Sequence, residues 1–230
     1  MKKRIITPFL FLILITGFSQ NLNFEVHGNY THPIKVEKLQ DARSMGDIIP
    51  YYPAGWIMSY VTVEMSAISD GNTLMATGTN DILTAEQIIL LNSAEIGTEI
   101  VINIRYLSEN SVNNESEERT LHYSTTVVPE IQAEYPSGYQ HLAQYLKENA
   151  IDKISEKESG KIELAVVRFT VNEEGQIDNA QISKTSGNPE IDKLLLGVIN
   201  NMPKWRPAED SNGMRVGQEF EFTVGNNSGC

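Results

Sequence analysis

Apolar and polar residues alternate most regularly between Lys161 and Val224, and that stretch predicts a compact run of elements. In Lys161–Val171, Ala165, Val167, Phe169 and Val171 share one parity while Arg168 and Thr170 take the other, as in a half-buried strand. Asn172-Glu173-Glu174-Gly175 is a short return loop whose Gly supplies positive φ. Gln176–Lys184 is the partner strand, and its apolar Ile177, Ala180 and Ile182 break parity, which predicts a bulge near Asp178-Asn179. Asn188 reads as a helix N-cap and Pro189 as the first helical position. Ile191, Leu194, Leu195, Val198 and Met202 then recur at helical spacing until Pro203. In Met214–Val224, apolar Met214, Val216, Phe220, Phe222 and Val224 alternate with Arg215, Gly217, Glu219, Glu221 and Thr223. That strand has one buried and one wet face.

The preceding residues predict a second, strand-rich unit. Leu22–His27 reads as a short strand and Leu39–Met45 as a short helix. Trp56–Ile68 reads as a long strand returning through an Asp70-Gly71 hairpin to Thr73–Thr79. Thr84, with Gln87 three residues on, is a capping box for a helix ending near Ala94, with Gly97 at its C-terminal cap. Thr98–Leu107 and Leu121–Val127 are further strands, and the polar Ser108–Arg119 between them reads as a mobile loop. Val128–Pro136 is an extended junction, after which Ser137 and Gln140 form a capping box for a helix burying Tyr139, Leu142, Ala143 and Leu146.

The ordered positions Phe169, Val171, Gly175, Ile177, Ser186-Gly187, Asp192, Met202-Pro203, Trp205, Pro207-Ala208, Gly213, Phe220 and Phe222 resemble the C-terminal domain of TonB, the energy-transducing protein of Gram-negative envelopes. Upstream, Pro129-Glu130 and Tyr135-Pro136 fit the same resemblance, which spans about the last hundred residues. It implies a three-stranded antiparallel sheet packed on two helices and an interaction module without cofactors. More weakly, residues 22–127 resemble periplasmic domains of the gliding and secretion protein GldM, which implies a β-sandwich. The expected architecture is therefore α+β: a signal segment at 1–20, a β-rich periplasmic unit at 21–127 and a TonB-like unit at 128–230.

Composition narrows the function. The 230 residues carry 30 acidic against 18 basic side chains, for a net charge of −12. So acidic a chain is a poor partner for nucleic acid or anionic lipid. Lys2, Lys3 and Arg4 ahead of an apolar run from Ile5 to Phe18 form a secretory signal pattern, with cleavage expected near Ser19–Asn21. The expected location is the periplasm, or the inner membrane facing it if this segment is retained. Cys230 is the only cysteine. His27 and His32 fit no zinc spacing, and no nucleophile motif or phosphate loop appears, so neither catalytic nor metal-ligating residues are expected. Trp205, between Pro203 and Pro207, reads as a packing anchor rather than a ligand platform.

What remains is a non-enzymatic exported protein that binds envelope partners. The resemblance implies a TonB-dependent outer-membrane receptor or inner-membrane motor components, with no nucleic acid and no small-molecule substrate. It also implies that an extended partner segment adds to the open edge of the last strand, at Gln218, Glu219, Phe220, Glu221, Phe222, Thr223 and Val224. The alternative is an adaptor or structural subunit of a secretion, gliding or signalling machine. Two features depart from a full TonB: the nine prolines are scattered rather than gathered into a spacer, and the apolar N-terminal run is short for an anchor.

Overall fold

A computed structural model of the chain describes residues 22–69, 71–109, 115–155, 159 and 161–225. The expected signal segment, Cys230 and residues 110–114 lie outside these. The fold is α+β, with buried apolar side chains in two clusters, one for each of two main sheets.

The first cluster lies on a five-stranded sheet in the order β2-β6-β5-β3-β4, formed by β2 (Ile34–Lys35), β3 (Ser59–Ser69), β4 (Asn72–Gly78), β5 (Glu99–Glu109) and β6 (Ser116–Val128). Ser69 pairs with Asn72 across the expected hairpin, where Gly71 has φ +77°. Val63, Met65, Ile100, Ile102 and Ile104 are fully buried on one face. Helices α1 (Val36–Asp41), α2 (Met45–Ile48) and α3 (Ala85–Asn92) contribute Leu39, Met45, Ile48, Leu90 and Leu91 to the same core. The capping box on α3 is present: Thr84 Oγ1 accepts from Gln87 N, and Gln87 Oε1 accepts from Thr84 N. Gln87 is also wholly buried, and its Nε2 donates to Val63 O at 3.2 Å, so the cap ties α3 to the sheet.

Several expectations here need correction. Helix α3 stops at Asn92, and Gly97 (φ +89°) serves the turn into β5 rather than a cap. The long third strand begins at Ser59, because Ala54–Trp56 is a 3-10 turn. Ser108 and Glu109 pair with Glu117 and Ser116, so the described residues on either side of 110–114, expected to be part of a loop, extend the two strands. Cross-strand pairing satisfies the backbone there whatever the side-chain polarity.

The second cluster lies on a four-stranded antiparallel sheet, β1-β11-β7-β8, made of β1 (Asn23–Gly28), β7 (Ala165–Val171), β8 (Ile177–Lys184) and β11 (Gln218–Gly225). The expected last strand is interrupted at Gly217, with Arg215–Val216 (β10) pairing instead with Ala208–Glu209 (β9). Asn179 has φ +53° where the register between β7 and β8 shifts, at the expected bulge. Helices α4 (Tyr139–Asn149) and α5 (Pro189–Asn200) lend Leu142, Leu146, Ile191, Leu195, Val198 and Ile199 to the core. Asn188 Oδ1 caps α5 by accepting from Glu190 N, with Pro189 inside it. Helix α4 corrects its expectation: the N-cap is Gly138, with no side-chain cap bond, because the chain turns through positive φ at Ser137 and Gly138.

The sheet has four strands rather than three, because β1 joins it. Leu22–His27 was expected among the strands of residues 21–127, yet it pairs with β11 and buries Leu22 and Val26 in the second core. The junction is likewise no free linker. Ala133 and Tyr135 are buried, Ile131 and Glu134 make backbone bridges to Glu209 and Arg206, and Glu134 pairs with Arg206 at 2.7 Å.

Trp205, 4% exposed, centres the aromatic part of this core. Its ring lies 5.5 Å from Tyr135, 6.1 Å from Phe169 and 5.1 Å from Phe220. Its backbone N–H donates to Gly175 O at 2.8 Å, and a Cβ at Gly175 (φ +80°) would lie 2.1 Å from Trp205 O. The Gly in the return loop is thus required both by its φ and by this close approach. Trp205→Ala is expected to cost ~3–5 kcal/mol, read as a lowered urea midpoint. An unchanged midpoint would contradict the packing role.

Asp192 in the first turn of α5 accepts from Thr185 Oγ1 at 2.5 Å and Ser186 N at 2.8 Å. Burial alone would push its pKa up, but hydrogen bonds from Ser186 and Thr185 outweigh it and hold the carboxyl below its ordinary value of 3.8. A depressed folded pKa gives stability that is complete above the unfolded value and lost as pH falls through the folded one. Asp192→Asn is therefore expected to cost roughly 1–2 kcal/mol near neutral pH, with the gap to the parent closing only in acid below that ordinary value. Urea titrations at neutral pH and in acid check this, and a gap independent of pH would refute it.

Candidate partner-binding edge

The alternation of Gln218–Val224 produces the strand β11. Phe220, Phe222 and Val224 point into the core, and Phe220 stacks on Phe169 at 5.6 Å. Gln218 shares their parity and is also buried, its Oε1 accepting from Ala133 N at 2.8 Å. Gln218 therefore holds the junction segment in place. Glu219, Glu221 and Thr223 face the other side of the sheet.

The edge expected to be open is filled. On one side β11 pairs with β7 from Gln218↔Val171 to Val224↔Ala165. On the other it pairs with β1 from Asn23↔Gly225 to Gly28↔Phe220. Asn29 N donates to Glu219 O at 3.1 Å, which turns the Glu219 backbone toward β1. Alternate residues of an antiparallel strand send their N–H and C=O groups to the same side, so Glu221 and Thr223 also face β1.

The outward side chains of β11 are engaged too. Glu219 Oε2 accepts from Asn29 Nδ2 at 2.8 Å, Glu221 Oε1 accepts from Arg168 Nε at 2.7 Å, and Thr223 Oγ1 lies 3.5 Å from Glu25 O. The seven expected residues thus lie together on one strand, but their free backbone is covered by a segment some 190 residues away. The signal for this in the sequence was the shared parity of Leu22, Phe24 and Val26, which shows a strand without naming its neighbour. The outer strands of this sheet are β1 and β8.

Elsewhere, His27 Nδ1 contacts Gly28 O, while His32 Nδ1 contacts Ser124 O and its ring stacks on Tyr123. Among the described residues no group of three or more His, Cys, Asp or Glu is placed to hold a metal ion. Burial, followed by the hydrogen bond to Tyr60, pushes the Tyr52 hydroxyl well above its ordinary pKa, so it stays neutral. Next to it, Pro50, Tyr51, Pro53, Trp56 and Tyr123 line an open apolar cleft of about 610 Å³, with Tyr51 fully exposed and Trp56 74% exposed. Among the described residues no helix is long and apolar enough to cross a membrane.

The backbone geometry is testable. Glu221→Pro removes the donor that faces β1 and spares the buried face. The Glu25 and His27 amides are then expected to exchange hydrogen faster, while Val167 and Phe169 in β7 remain protected. Unchanged exchange at His27 would place that donor elsewhere.

Residues 154–224, under a third of the chain, match the family described as Gram-negative bacterial TonB protein C-terminal. No curated protein and no solved structure matches. The matched segment contains β7, β8, α5 and most of β11, the elements around which Trp205 and Phe222 are packed. This family is one of non-enzymatic protein-interaction domains from proteins that are periplasmic or anchored in the inner membrane. By that match, residues 154–224 belong to the TonB C-terminal domain family.

Proposed function

We propose that this chain is a non-enzymatic exported protein whose TonB-like unit binds envelope partners in TonB-type transport or energy transduction across the outer membrane. The observation that carries this reading is the family match over a sheet whose strand β11 has only the six-residue β1 on one side. An added strand gains affinity from main-chain hydrogen bonds and specificity from alternate side chains. Glu219, Glu221 and Thr223 are the reading positions, and Phe220, Phe222 and Val224 form the apolar floor. The partner is a periplasmic segment of an outer-membrane receptor or a component of an inner-membrane motor. The apolar N-terminal run is removed in the mature protein, leaving it in the periplasm.

A second reading is favoured by the exposed aromatic cleft around Tyr51 and Trp56. Contiguous exposed apolar surface marks interaction sites, and a site far from β11 suits an adaptor subunit of a secretion, gliding or signalling machine.

Photo-crosslinking in cells separates the two. Crosslinkers placed at Thr223 and at Trp56 are expected to yield outer-membrane receptor or motor adducts from Thr223 only. Adducts with secretion-machine subunits from Trp56, and none from Thr223, would replace the first reading by the second. The intact mass of the purified protein reports in the same preparation whether the N-terminal run has been removed.

A further inference from the structure

Strand β1 is a thin cover for the edge it occupies. Of its six residues only Val26 and Gly28 are buried; Phe24 is half-buried, and Asn23, Glu25 and His27 are exposed. By contrast Ala165, Val167, Phe169 and Val171, on the other neighbour of β11, are all buried to 1% or less. The strand is followed by Ile34–Lys35, which belongs to the other sheet, so only residues 29–33 link the two. Its main-chain bonds to β11 are of the kind any incoming strand would remake one for one.

At two places β1 itself offers β11 little. Gly28 stands opposite Phe220 and has no side chain to lay against it. The Tyr30 ring takes that space instead: a Cβ at Gly28 would lie 2.0 Å from its Cε1. On the outward face, His27 stands opposite Glu221, whose carboxylate pairs with Arg168 of β7 on the far side, and among the described residues Glu219 meets the neutral amide of Asn29. Position 27 of β1 therefore lies directly opposite one carboxylate and diagonal to a second, and β1 places no permanent positive charge there.

We propose that β1 is a displaceable placeholder on β11, and that the segment replacing it is extended and basic. This rests on the reading of β11 as a strand-addition site. The incoming segment carries apolar side chains at three successive alternate positions, taking the places of Phe24, Val26 and Gly28. It carries a Lys or Arg at the position of His27, opposite Glu221 and within diagonal reach of Glu219. A peptide copying β1 gains nothing over β1 itself, because a short tether holds the resident strand at ~mM effective concentration. The apparent affinity of any rival is reduced by the fraction of molecules with the edge vacant. Only a segment that improves on positions 27 and 28 overcomes that handicap, so the placeholder discriminates among partners and also blunts an edge that would otherwise pair with other chains.

The test uses two synthetic peptides on the purified protein. One copies Leu22–Asn29, and the other is the same sequence with His27→Arg and Gly28→Ile. The protein carries Glu25→Cys and Thr223→Cys in a Cys230→Ser background. These residues are direct cross-strand partners, and the ~5.5 Å Cα separation of a hydrogen-bonded pair suits a disulfide. In the reduced state the substituted peptide is expected to bind at least about tenfold tighter than the copy. In the oxidised state, with β1 locked on β11, neither is expected to bind. Equal binding of both peptides, or equal binding before and after oxidation, overturns the proposal. A Val26→Asp variant, which unseats β1 while keeping the chain whole, separates the two readings. If it binds the substituted peptide and the parent does not, β1 is a permanent strand and only the placeholder falls. If neither binds while tryptophan fluorescence, read in a Trp56→Phe background so that it reports Trp205, remains native, strand addition at β11 falls as well.

Discussion

A strand that buries Phe220, Phe222 and Val224 on one face still has backbone groups to satisfy along both of its edges. This requirement at β11 shapes the chain. Strand β7 meets it on one side and β1 on the other, so a segment near the start is stitched to one near the end. The five-stranded sheet lies, in sequence, between those two contacts. Neither neighbour is interchangeable with the other. Strand β7 lies in the middle of the core, with β8 beyond it, whereas β1 is an outermost strand with few buried side chains.

Around β11 the remaining elements are fixed by contacts with little tolerance. Gly175 admits the Trp205 carbonyl where any side chain would collide. Trp205 in turn packs beside Phe220, the residue opposite Gly28. Asp192 ties the first turn of α5 to the loop after β8. The aromatic cluster, the return loop and the helix therefore hold the inner face of β11 rigid. Its outer edge depends on a six-residue strand that buries only Val26 and Gly28. Rigid support beneath an edge with a weak occupant is the arrangement that exchange of strands requires, since an incoming segment meets a preformed surface and loses little further entropy on ordering it.

The acidic character of the chain bears on the same place. Glu219 and Glu221 lie side by side on the outward face of β11, and Arg168 from β7 reaches only one of them. Surface ion pairs contribute little to stability, so this pattern matters more for which partner is selected than for the fold. The exposed aromatic cleft of the other sheet is apolar and carries none of this charge, and a partner there would be chosen by shape and apolar contact instead.

The sequence by itself determined the local grammar. The strands β7 and β8, the bulge at Asn179, the Asn188–Pro189 start of α5, the Thr84–Gln87 box and the buried Trp205 all follow from periodicity, capping chemistry or steric demand within a few residues. The resemblance carried by Phe169, Gly175, Trp205 and Phe222 likewise led to the family of residues 154–224. Only the tertiary structure decided which strand lies beside which. Alternation says that Leu22–Gly28 and Gln218–Val224 each have an apolar face, but it carries no information about pairing between them. Backbone hydrogen bonds are the same for every residue type, so neighbours distant in sequence are chosen by the packing of the whole core. For the same reason polarity alone makes Ser108–Arg119 read as a loop and Val128–Pro136 as an extended junction, where strand pairing of 108–109 with 116–117 and the bridges to Arg206 and Glu209 hold the described residues in place.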